Sequence, residues 1–133
     1  MLALLEKVHE LLINEPSITA LVPKEAIGAS VRQPGKKRSI EYELSDQDRG
    51  NIGVGQQYTE LLFHIHSEDG TALCYKVTDA LYKLLKPQTL SDSDRGFRVA
   101  RVRQVGMKMA PRNEFASTLI VRYALHVKEL INP

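Results

Sequence analysis

Between Ser117 and Val127 the chain alternates strictly. Leu119, Val121, Tyr123, Leu125 and Val127 fall on one parity, with Arg122 and His126 on the other. Successive side chains of a strand point to opposite faces, so this run predicts a strand with one buried and one wet face. Such a strand needs other elements packed over one face only, which points to a two-layer fold.

The rest of the sequence supplies the second layer. Residues 2–14 carry Leu4, Leu5, Val8, Leu11 and Leu12 at helical spacing, with Glu6, Lys7 and Glu10 opposite. Pro16 ends that helix by forcing its predecessor out of helical geometry, and the stretch up to Val22 has room for one short helical turn. From Ile27 to Ser39 the glycines, Pro34 and Lys36-Lys37-Arg38 read as an exposed basic loop. Ser39–Leu44 alternates as a first strand, and Tyr58–Ser67 as a second, with Leu61, Phe63 and Ile65 inward. Thr71–Lys86 is a helix with the stripe Leu73, Val77, Ala80, Leu81 and Leu84, closed by Pro87. Phe97–Val105 is a third strand and 117–127 the fourth.

The expected fold is therefore α+β. It is a two-layer sandwich of a mixed four-stranded sheet and two α-helices, in the order α-β-β-α-β-β. A right-handed crossover links the second and third strands. Long loops at 45–57 and 106–116 exceed ordinary hairpin length. The 133 residues make one domain, 1–133.

Composition narrows the class. Eighteen Lys+Arg against sixteen Asp+Glu leave a net charge of +2, unlike a histone-type polyanion binder. No apolar run is long enough for a membrane span. The charged residues Glu6, Lys7 and Glu10 argue against a signal peptide in the N-terminal run. The single Cys74 allows no intrachain disulfide, which fits a reducing compartment.

Motifs for chemistry are weak. His64-x-His66 places two imidazoles on one strand face, with His126 or Glu60 as a conceivable third ligand, but two polar residues on a wet face explain them more simply. Cys74 lies on the apolar stripe of its helix, as a buried small hydrophobe would. The glycines of Gly50–Gly55 lack the Gly-Lys-Ser/Thr ending of a phosphate loop and join two strands instead of opening a helix. The expectation is no enzyme, no catalytic centre, no cofactor and no metal.

Charge patterning says more. Arg95, Arg98, Arg101, Arg103, Lys108 and Arg112 form a block with no acid, while Glu41, Glu43, Asp46 and Asp48 form a block with no base. Opposed patches of this kind set register between partners. The third strand also contradicts itself: Phe97 and Val99 ask for odd residues inward, yet Arg101 and Arg103 are odd and Val102 is even. A bulge, an edge position or a second covered face would each resolve that conflict. With Met107 and Met109 on the following arm, the expected subunit interface comprises Arg98, Arg101, Arg103, Met107, Met109 and Arg112 against Glu41, Glu43, Asp46 and Asp48. The competing expectation is a small nucleic-acid-binding module using the Arg95–Arg112 face on phosphates. No outward Phe or Tyr is expected on the strands to stack bases.

The segment Leu4-Leu5-x-x-Val8-x-x-Leu11-Leu12, followed by Glu15-Pro16-Ser17-Ile18-Thr19-Ala20-Leu21-Val22, resembles the opening of the phage tail terminator and tail-completion family. So do the strand ending His64-Ile65-His66-Ser67, the helix with Val77-x-Asp79-Ala80-Leu81-x-x-Leu84-Leu85, and the late strand Leu119-Ile120-Val121-Arg122-Tyr123. The resemblance covers most of the chain in element order and rests on apolar patterns. It implies a phage or prophage virion protein assembled in the bacterial cytoplasm. Such a protein forms a homo-oligomeric ring, usually of six copies, at the head-proximal end of the tail. The implied partners are the tail tube protein and the head-completion or connector protein, with DNA passing through the lumen without specific binding. No polar signature of the family carries over to particular residues.

Overall fold

A computed structural model of the protein describes residues 2–29, 37–45, 56–110 and 116–130. Helix α1 (Leu2–Ile13) is followed by the one-turn α2 (Pro16–Thr19) and a 3-10 turn at Lys24–Ala26. Strands β1 (Ile27–Ala29), β2 (Arg38–Ser45) and β3 (Gln56–Ser67) come next, then α3 (Thr71–Leu84) and a one-turn α4 (Pro87–Leu90). Strands β4 (Phe97–Met109) and β5 (Ser117–Glu129) close the order.

Among the described residues the sheet has five strands in the order β1-β2-β3-β5-β4. This corrects the expectation of four strands and two helices. The extra strand, β1, lies where a basic loop was expected. It has three residues, one of them Gly28, too few to show an alternation, and it pairs in parallel with β2 through Ile27–Ile40. The extra helices are single turns, each with a proline at its start, where the missing N–H costs nothing. Glu15 caps α2 by accepting from the Ser17 N–H, and Thr89 Oγ accepts from the Lys86 N–H at the start of α4.

β5 keeps its alternation unbroken and lies inside the sheet, next to the edge strand β4. It pairs antiparallel with β3 on one side and β4 on the other. β3 and β4 therefore run parallel with β5 between them, and the chain crosses from one to the other through α3 and α4. Leu4, Val8 and Leu12 of α1 and Leu73, Cys74, Val77 and Leu81 of α3 join the inward strand residues in one core. Its middle is aromatic: Phe63 lies 6.3 Å from Tyr42 and 5.9 Å, edge-on, from Tyr123, centroid to centroid. The Tyr42 hydroxyl meets His9 Nδ1 at 2.7 Å, tying α1 to the sheet, and burial pushes both Tyr42 and Tyr123 up to about 12. Cys74 is buried as expected, its thiol 3.5 Å from the Ile65 carbonyl and its pKa raised by desolvation.

The contradictory third strand resolves in its own backbone. Register shifts fall between Val99 and Arg101 and again between Gln104 and Gly106. Each shift inserts one residue, and each resets the alternation. Phe97 and Val99, then Val102 and Gln104, then Met107 and Met109 thus take the inward parity. Arg98, then Arg101 and Arg103, then Lys108 take the outward one. Two bulges on an edge strand suffice, and no second covered face is needed to explain the pattern. The strand also runs to Met109, so residues 106–109 are strand where an arm was expected; 111–115 lie outside the described residues.

A charged strap fastens α1 to the turn before β4. Arg95 reaches Glu10 at 2.6 Å and Asp92 at 2.8 Å, and Lys7 lies 3.6 Å from Asp92. Desolvation pulls the Asp92 pKa upward. The Arg95 N–H and the Lys7 and Arg95 cations outweigh it and hold the carboxyl below its ordinary value. A carboxylate depressed in the folded state stabilises above its unfolded pKa, and that contribution is lost as pH falls through the folded one. Asp92→Asn should therefore lower the unfolding midpoint at neutral pH. Its stability should also decline less than that of the parent between about pH 5 and pH 2, read by denaturant titration at each pH.

Candidate interaction face

The helices leave the other parity of the sheet pointing away from the core. Register fixes its rows. Glu41, His64, Ile120 and Lys108 lie across from β2 to β4, and Glu43, Leu62, Arg122 and Gly106 form the next row. Beyond them come Glu60, Ala124 and Arg103, then Tyr58, His126 and Arg101, then Gln56, Lys128 and Arg98. Half-buried Leu62, Ile120 and Ala124 make an apolar centre.

The two charge blocks thus occupy one face, acids on β2 and cations on β4, with β3 and β5 between. Three strand spacings separate them by roughly 14 Å, too far for direct pairing within one subunit. Arg98, Arg101, Arg103 and Lys108 make no ion pair among the described residues. Arg95, by contrast, is engaged by Glu10 and Asp92 and leaves the basic face. Met107 and Met109 are on the helix side of β4, the first 48% exposed and the second packed on the core. Asp46, Asp48 and Arg112 lie outside the described residues.

His64 sits 3.3 Å from Glu43, and His66 Nδ1 lies 3.2 Å from the Thr118 hydroxyl. Among the described residues no group of three His, Cys, Asp or Glu is placed to hold a metal ion. No helix there is long and apolar enough to cross a membrane.

Two features of this face escaped the sequence reading. Tyr58 shares the outward parity of Glu60 and His64, and its ring stacks obliquely on His126 at 4.6 Å, so an outward aromatic is present after all. Its parity was the available signal. The other feature is Arg122, which lies across the second bulge of β4. A Cβ on Gly106 would stand 2.9 Å from its Nε, and its Nη1 is 3.8 Å from the buried carboxylate of Glu60. Glycine there leaves room for the guanidinium, which links β4, β5 and β3 across the face. Only the pairing register brings these three residues together.

No family model matches the sequence, and no curated protein matches it. The structure, however, is similar to a chain of the virion of a native gene transfer agent particle. The two are 14% identical, and the match covers 91% of each chain at a TM-score of 0.70. They share a fold. At that identity the likeness shows the fold alone.

Proposed function

We propose that this protein is a structural component of a phage or prophage virion, a tail terminator that caps the tail tube and joins it to the head. The observation that carries the reading is the end-to-end fold match to a virion chain. The tail position comes from the family resemblance of the apolar pattern. In the proposed assembly, copies close a ring, six by the family's habit, through head-to-tail contacts. Arg98, Arg101 and Arg103 of one copy face Glu41 and Glu43 of the next, with Asp46, Asp48 and Arg112 in the same contact and Met107 and Met109 outside it, on the helix side of β4. One face carrying acid at one side and base at the other suits such a contact, because each neighbour meets the opposite sign. The tail tube protein and the head-completion or connector protein are the partners, and DNA passes through the lumen. No catalysis, metal or cofactor enters this role.

A second reading has one observation of its own. The Tyr58–His126 pair beside Arg101 resembles a base-stacking platform next to phosphate-binding cations. Particles lacking the protein separate the two readings. The terminator reading expects filled heads and tails that stay apart, and joining on addition of the purified chain. Normal joined particles with a defect in replication or transcription would instead establish the nucleic-acid reading.

A further inference from the structure

The outward face is not uniform in charge. Its rows toward the start of β4 carry Arg98, Arg101 and Arg103 on the edge strand and Lys128 on β5. None of the four makes an ion pair among the described residues. The carboxylate in those rows, Glu60, is buried beside Arg122 and leaves the surface to the cations. Tyr58 stands in the same rows, 39% exposed, its ring tilted 37° to that of His126. Gln56 Oε1 accepts from His126 Nε2 at 3.0 Å, which holds the imidazole in place and leaves the Gln56 NH2 as a donor.

The spacing indicates what such a surface takes. Two strand spacings, roughly 10 Å, separate Tyr58 on β3 from the arginines on β4. A nucleotide spans that gap, with its base on the ring and its phosphate at the guanidinium groups. Arg98 to Arg103 extend roughly 15 Å along the strand, enough for consecutive phosphates. An acidic peptide would use the cations and leave the tyrosine with no flat partner. A duplex keeps its bases stacked on one another, so only its phosphates would reach the site.

We infer that this half of the face binds single-stranded nucleic acid without sequence preference, with a base stacked on Tyr58 and phosphates held by Arg98, Arg101 and Lys128. The inference rests on the stacking pair of the second reading and requires binding only, with no part in replication or transcription. Arg98 and Arg101 also stand in the proposed subunit contact, so a bound strand and a neighbouring copy exclude each other there.

The probe is a fluorescein-labelled oligothymidylate of about ten nucleotides, read by anisotropy at several salt concentrations. It should bind at least about tenfold more tightly than a duplex of the same length or an oligoglutamate of equal charge. Tyr58→Ala should weaken it about tenfold, Tyr58→Phe should restore it, and Tyr75→Ala, at an exposed tyrosine on α3, should leave it unchanged. Arg98→Gln and Lys128→Gln should each lower the slope of log affinity against log salt by about 0.7. Absence of binding, equal binding of the duplex or the oligoglutamate, an unaffected Tyr58→Ala variant, or an unchanged salt slope would each overturn the inference. Tyr58 lies outside the proposed subunit contact, so Tyr58→Ala should still join heads to tails, and the terminator reading is tested by joining alone.

Discussion

Changing Arg101 and Arg103 together to glutamate should abolish assembly while leaving the subunit folded. Both side chains are exposed on the outward parity of an edge strand, and neither is ion-paired among the described residues. The monomer therefore loses little by their reversal, since exposed charges contribute about 1 kcal/mol or less. In the proposed contact the reversed side chains would instead face Glu41 and Glu43 of the neighbour. Like charges juxtaposed at an interface cost several kcal/mol, on the order of a hundredfold or more in association. Circular dichroism should be that of the parent, and the variant should fail to join heads to tails in extracts lacking the protein. Adding Glu41→Arg and Glu43→Arg to the same chain should restore joining, because the contact regains opposite signs. A double variant that joins heads to tails normally would show that these arginines are not the contact.

Phe63→Ala should be the most damaging single substitution in the core. Phe63 is fully buried and sits between Tyr42 and Tyr123 at the centre of the sheet. Truncation removes the ring's transfer free energy and its edge-on contact, and leaves a cavity that two tyrosines cannot fill. The expected loss is about 3–5 kcal/mol, against a total stability of about 5–15 kcal/mol for an ordinary domain. For a chain of this size that lowers the melting temperature by roughly 10–18 °C. Phe63→Leu, which keeps most of the volume, should lose much less. A fall of only a few degrees for the alanine variant would mean that the aromatic centre is not where the core is anchored.

Most of the architecture was legible because period decides it. The runs at 58–67 and 117–127 announced their buried parity, and the helices at 2–14 and 71–86 their stripes. What escaped was too short to have a period: β1 has three residues and α4 four, whereas the four-residue α2 falls where one short helical turn was expected. Strand β4 shows a different limit. Its sequence contains the right inward residues, but two bulges shift their parity, and a bulge has no side-chain pattern of its own. The interaction face was legible in sign and not in layout. The opposed charge blocks were visible along the chain, whereas their placement on opposite sides of one face depends on strand order, since β5 inserts between β3 and β4. The link from Gly106 through Arg122 to Glu60 depends on register in the same way.

The central claim is that this chain stops a growing tail and prepares it for the head. The most direct measurement is the distribution of tail lengths, by electron microscopy, in particles assembled without the protein. A terminator predicts tails of irregular or excess length that never carry heads, with a narrow distribution restored when the purified chain is present during assembly. Tails of normal, uniform length joined to heads in its absence would contradict the account.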